Sequence, residues 1–199
     1  AIAAGEVHSL GLKLDGSVVV WGDTADAKLV LPGPKGNFIA IAAGWNHSLG
    51  LKATGRIVAW GDNTEGQLNV PEPNSDFIAI AAGRYHSLGL KANGSVVAWG
   101  LDEDGQTDVP EPNADFVSIA AGEFHSLGVK QDGSFVGWGR ANNGQLNRPW
   151  PNVGFLALAA GGSHDLVLRP DGSVVGWGSN NAGQLDVPAP NSGFLSIDG

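Results

Sequence analysis

The sequence contains no cysteine and no methionine. Without cysteine there are no disulfides, zinc–thiolate sites or cysteine nucleophiles, although the absence names no compartment. Position 1 is not methionine and no signal-peptide pattern follows it, so the chain reads as a trimmed or processed product and targeting stays open. Basic residues are scarce. Eleven Lys and Arg against 20 Asp and Glu give a formal net charge of −9. That balance opposes nonspecific binding to nucleic acid or anionic membrane, both of which require a basic surface. No apolar run approaches the roughly 18 residues of a spanning helix, which predicts a soluble protein. No segment keeps a helical period over three turns.

Turn residues, by contrast, are abundant. Thirty-one glycines and 11 prolines suit an all-β chain with many tight turns. A hydrophobic content of 42%, with 7 Trp and 7 Phe, is enough to build a core and excludes wholesale disorder. The length of 199 residues suggests one domain.

The residues are arranged in repeats. Trp-Gly begins at Trp21, Trp60, Trp99, Trp138 and Trp177, each 39 residues after the last. The histidines, His8, His47, His86, His125 and His164, keep the same step, as do Phe38, Phe77, Phe116, Phe155 and Phe194. Segments 38–76 and 77–115 match at 27 of 39 positions, which fits either recent duplication or design. Each repeat predicts four short strands. In the third these are 77–82, 86–91, 95–99 and 106–109, with Asn93-Gly94 as a hairpin turn and Pro110 to Asn113 closing the unit. A 39-residue unit of four strands fits one propeller blade. The chain thus predicts an all-β, five-bladed β-propeller spanning 1–199, with repeats at about 1–37, 38–76, 77–115, 116–154 and 155–193. Residues 194–199 align with the first strand of a repeat and predict a closing strand, although residues 1–4 compete for the same slot. The Ala-rich first strand is expected innermost, where only small side chains fit, with Ile, Phe and Trp between blades. Burying one Trp is worth at most about 5 kcal/mol gross.

The run Ala81-Ala-Gly-Arg-Tyr-His-Ser-Leu-Gly-Leu-Lys-Ala-Asn-Gly-Ser-Val-Val-Ala-Trp-Gly100, with Gly105-Gln106 in its tail, resembles the repeat of the regulator of chromosome condensation propeller superfamily. The segment Trp60 to Pro71 (WGDNTEGQLNVP) is most similar to the branch containing a secreted bacterial propeller that inhibits β-lactamases. The resemblance implies a closed ring, usually of seven blades, so five repeats depart from it. It also implies a secreted or extracytoplasmic setting. Nucleotide exchange and chromatin binding, known elsewhere in the superfamily, do not carry over: no residues match the first, and the acidic balance opposes the second.

Strand direction alternates, so the AAGxxHS and WGxNxxGQ turns share one face, here called the upper face. The most variable positions among the repeats are the dipeptides before each histidine. These are Glu6-Val7, Trp45-Asn46, Arg84-Tyr85, Glu123-Phe124 and Gly162-Ser163. A scaffold demands the same residue in every blade, whereas one large ligand demands different ones. Trp45, Asn46, Arg84, Tyr85, Glu123 and Phe124 are therefore the candidate recognition residues, of types enriched at binding hot spots. The resemblance to the β-lactamase inhibitor adds weight, since it too carries aromatics on these turns. The competing reading is drift at exposed turn tips. Neighbouring loops carry Asp23, Asp26, Asp62, Glu65, Asp102, Glu103 and Asp104, against Arg84, Arg140 and Lys28. Asp62, Glu65, Asp102 and Asp104 complete the candidate surface, suited to a protein partner with a basic patch. On the opposite face Trp150 stands either as an exposed anchor or as cover for a neighbouring blade.

The five histidines occupy one structural position and are expected to bond the local backbone rather than to form a metal ring. No metal or cofactor site is expected. No asymmetric catalytic group stands out, so a non-enzymatic role is expected. The readings kept open are a protein-binding propeller, a structural or engineered repeat scaffold without its own ligand, and a glycan-binding propeller. The chain is expected to be a monomer, with strand exchange or an oligomeric ring as the alternative.

Overall fold

The structure is a computed structural model that describes residues 1–23, 30–147, 151 and 154–198. Asp26, Lys28 and Trp150, singled out in the sequence, lie outside the described residues. The described residues form five antiparallel three-stranded sheets and no helix. The first contains β1 (Ile2–Ala4), β2 (His8–Leu12) and β3 (Val18–Gly22). The second contains β4 (Phe38–Ala43), β5 (His47–Lys52) and β6 (Ile57–Gly61). The third contains β7 (Phe77–Ala82), β8 (His86–Lys91) and β9 (Val96–Gly100). The fourth contains β10 (Phe116–Ala121), β11 (His125–Lys130) and β12 (Phe135–Gly139). The fifth contains β13 (Ala157–Ala160), β14 (His164–Leu168) and β15 (Val174–Gly178).

In every sheet the first strand pairs with the second and the second with the third. The Ala-rich first strands of consecutive sheets pack on one another, β1 on β4, β4 on β7, β7 on β10 and β10 on β13. The sheets thus follow one another as propeller-like blades with the small residues innermost, as the sequence predicts. The register repeats as well. Phe77 pairs Lys91 and Ala79 pairs Leu90, with a bulge between, and the same shift recurs at Phe38 and Phe116. The bulge lets the phenylalanine ring lie over the middle strand. A Cβ on Gly89 would stand 2.5 Å from Phe77 Cε1, so the ring occupies the space a side chain would need.

The core lies between blades. One cluster joins Leu49, Leu51 and Ile57 of the second sheet to Phe77 and Trp99 of the third, and the next joins Leu88, Leu90 and Val96 to Phe116 and Trp138. A blade therefore needs its neighbour to bury its face. Four of the five repeat tryptophans are 3–8% exposed, as predicted, but Trp21 is 50% exposed.

Two expectations differ from the structure. The expected fourth strand, residues 106–109, is a turn: Asp108 N–H bonds Gly105 O at 3.2 Å and Val109 N–H bonds Thr107 O at 3.0 Å. The outer edge is covered by a side chain instead. Asn113 accepts from Val96 N–H and donates to Val96 O, both at 2.8 Å. Asn74 serves Ile57, and Asn191 Val174, in the same way. The expected closing strand is also absent. Residues 194–198 belong to no sheet, and Leu195 is 95% exposed. β1 already holds the inner slot by pairing Ile2 with Gly11 and Ala4 with Ser9.

Candidate functional site

The upper-face turns between first and second strands are joined from blade to blade by their backbones. Glu6 N–H bonds Trp45 O at 3.3 Å, Arg84 N–H bonds Glu123 O at 3.3 Å, and Glu123 N–H bonds Gly162 O at 3.2 Å. Each turn starts at a glycine because the histidine ring three residues on fills the space a side chain would need, and in the first four turns the backbone of the next blade crowds it as well. A Cβ on Gly83 would lie 2.2 Å from His86 Cε1 and 2.5 Å from Gly122 O. The turns surround a groove of about 460 Å³, floored by alanines and glycines of all five sheets, with Glu6, Trp45, Arg84, Glu123 and His164 along it.

This close spacing merges three of the variable dipeptides into one cluster. Trp45 and Tyr85 meet edge to face with centroids 5.7 Å apart, and Tyr85 and Phe124 stand 6.5 Å apart. The Arg84 guanidinium lies 3.2 Å from the Trp45 centroid and within 5.2 Å of the Tyr85 and Phe124 centroids. Its Nη1 donates to Glu123, an ion pair across the blade junction. Arg140 also lies over Phe124, at 3.8 Å, and pairs with Asp104 at 2.7 Å. The result is a half-buried aromatic patch with two stacked guanidiniums, each paired to a carboxylate. Fixed aromatic faces with stacked arginines suit recognition of a protein surface.

Asn46 is half-buried beside this patch, in the same turn as Trp45. The remaining acids are placed differently. Asp62 accepts from Thr64 N–H, Thr64 Oγ1 and Gln67 Nε2, and Asp102 accepts from Thr107 N–H, so both shape their own loops. Glu65 is exposed at a loop tip. Arg140 is absent from the sequence-derived recognition residues, where it counted only as a loop charge. The signal was present: it occupies the position held by Asp62 and Leu101 in the preceding repeats, another variable site on the same face.

The histidines are corrected in one respect. Their partners are in the next blade rather than the local backbone. His47 Nε2 lies 3.0 Å from Ser87 Oγ and His86 Nε2 lies 2.9 Å from Ser126 Oγ. Ser87 and Ser126 donate their single hydroxyl protons to the carbonyls of Gln67 and Gln106. The imidazole must therefore donate from Nε2. Burial, with the neighbouring histidines adding, pushes His47 down to about 4 and His86 to about 3, so both are neutral at pH 7. These serines and histidines are completely buried, so the pairs are structural and not nucleophile–base pairs open to substrate. The same two carbonyls also accept from tryptophan indoles, Trp99 to Gln67 and Trp138 to Gln106, and Trp177 donates likewise to the Gln145 carbonyl.

The regulator of chromosome condensation (RCC1) repeat matches four segments of the chain, 38–67, 77–106, 116–145 and 155–184. A search of curated proteins found no match. Among solved structures, Prp20p of Saccharomyces cerevisiae, described with its binding properties to Gsp1p and histones, superposes with a TM-score of 0.77 at 24% identity, over 89% of this chain and 57% of that one. Yeast RCC1 (Prp20) with Kap60 bound gives 0.79 at 22%, over 98% and 59%. The ectodomain of the Physcomitrella patens receptor kinase CR4 gives 0.76 at 26%, over 92% and 53%. The chain thus spans little more than half the length of these structures.

Proposed function

Because this chain belongs to the regulator of chromosome condensation (RCC1) repeat family, we propose that it is a non-enzymatic protein-binding propeller module that recognises its partner with the upper face. The observation that carries this reading is the joined cluster of Trp45, Arg84, Tyr85, Glu123 and Phe124, extended by Arg140. These residues differ from blade to blade on an otherwise repeated scaffold, and they form one patch and not five equal sites. That asymmetry favours one macromolecular partner over a glycan held once per blade. Yeast Prp20 binds proteins, Gsp1p, histones and Kap60, which agrees with a binding role without transferring those partners. The exposed acids around the patch, Glu65, Asp102 and Glu103, suit a partner whose edge is basic. Inhibition of a β-lactamase is the sharpest version of this proposal and rests on the resemblance of residues 60–71.

The test is capture of partners on the immobilised chain, alongside a chain in which Trp45, Tyr85 and Phe124 are all alanine. Loss of capture with an unchanged melting temperature supports the reading. Retained capture places recognition elsewhere. A direct β-lactamase inhibition assay decides the sharper version.

A further inference from the structure

Three rings from three successive blades enclose one cation. Trp45, Tyr85 and Phe124 stand on the turns between first and second strands of the second, third and fourth blades, and neighbouring rings are inclined by 74° and 54°. The Arg84 guanidinium occupies the point they share, 3.2, 5.1 and 5.2 Å from the three centroids. Glu123 adds the counter-charge. Aromatic faces and a carboxylate gathered around a single cation make a cage, an arrangement suited to holding a cation that a ligand brings. Here the cation belongs to the chain itself.

Arg84 is held there only loosely. Its ion pair is open to solvent, with the Arg84 and Glu123 side chains 25% and 31% exposed, so the pair contributes little. Arg84 Nε is buried with no hydrogen-bond partner among the described residues, which costs free energy. Trp45, Arg84 and Glu123 also line the upper-face groove of about 460 Å³, which leaves Arg84 space to swing out and gives an arriving side chain a way in.

We infer that the cage takes an arginine side chain of the partner protein, and that Arg84 is a built-in occupant which this arginine displaces. The inference rests on the reading of the upper face as a protein-binding surface. The present occupant shows that a guanidinium fits. Replacing one guanidinium by another keeps the aromatic contacts and the Glu123 pair, and frees Arg84 Nε to bond water, so the exchange itself costs little. The exposed acids nearby, Glu65, Asp102 and Glu103, draw a basic side chain toward this face.

The experiment empties the cage. Arg84→Ala and Arg84→Gln are titrated with N-acetylarginine amide in a calorimeter, beside the unaltered chain, and melting curves check that each variant folds. Both variants are expected to bind about tenfold more tightly than the unaltered chain, and Trp45→Ala added to either is expected to abolish the binding. Tetramethylammonium, which cannot donate to Glu123, is expected to bind more weakly. Binding no tighter in the Arg84 variants than in the unaltered chain overturns the inference, as does binding that survives the loss of Trp45. A preference for tetramethylammonium overturns the arginine assignment in favour of a quaternary ammonium. The titration uses no partner, so it is scored separately from capture. Capture lost in the triple-alanine chain with a negative titration removes the cage and leaves the protein-binding reading in place. A positive titration with capture retained in that chain overturns the assignment of the arginine to the partner.

Discussion

His86 Nε2 lies 2.9 Å from Ser126 Oγ, one blade away, and that hydroxyl continues 2.8 Å to the carbonyl of Gln106. The three groups form a completely buried relay in which each proton has one place to go. It ties the middle strand of one blade to the middle strand of the next and to the turn before it.

Ser126→Ala removes the link and leaves the His86 Nε2–H buried without an acceptor, while Gln106 keeps its bond from Trp138. The expected loss is about 1–3 kcal/mol of stability. Urea unfolding measures it, and a change below a few tenths would show that the relay contributes little.

The same burial makes stability depend on pH. An unfolded histidine binds a proton near 6.5, but folded His47 waits until about 4 and His86 until about 3. In that window the unfolded state binds more protons, so stability is full above about 6.5 and falls as pH drops toward 4. The urea midpoint should decline steadily from neutral to mildly acid pH. The imidazole resonances of His47 and His86 should stay unmoved through the ordinary histidine range.

The fourth junction breaks the pattern. Asp165 stands where the others have serine, 2.7 Å from His125 Nε2, and its Oδ2 is buried with no hydrogen-bond partner among the described residues. Burial raises its carboxyl, against the pull of His125. A raised acid costs stability as pH climbs above the ordinary 3.8. Asp165→Ser should therefore raise the melting temperature at neutral pH, with the gain shrinking in acid. A fall at neutral pH would mean that the ionised pair is favourable.

Asn113→Ala tests the side chain that stands in for a fourth strand. It opens both backbone groups of Val96, for an expected loss of about 1–3 kcal/mol. Hydrogen exchange at the Val96 amide should accelerate most, because the protection is local.

Much of this was legible in the sequence because it is periodic. The 39-residue step, the three strand positions, the hairpin glycines and the small inner strand follow from spacing and residue size. The fourth strand was not, because Gln106 to Val109 has strand-like residues whose backbone groups are spent on turns and on the next blade's Ser126 and Trp138. The histidine partners were hidden for a related reason. His86 and Ser87 are adjacent in the chain, but the bond joins His86 to Ser126, and only blade packing selects that pair. The candidate patch was legible by residue type and not by arrangement. The turn tips approach closely enough for Arg84 to lie on Trp45 and reach Glu123, and this distance depends on the glycines that start each turn.

The relay connects a residue to one 40 positions later in a chain whose unit is 39. Duplicating or deleting one unit, wherever the breakpoints fall within it, leaves every surviving histidine except the last that far from a serine or its substitute. Unequal recombination at this locus would add or remove whole blades without leaving a junction to be repaired. Blade number in such a lineage is free to drift in integer steps, while the bonds between blades stay the same.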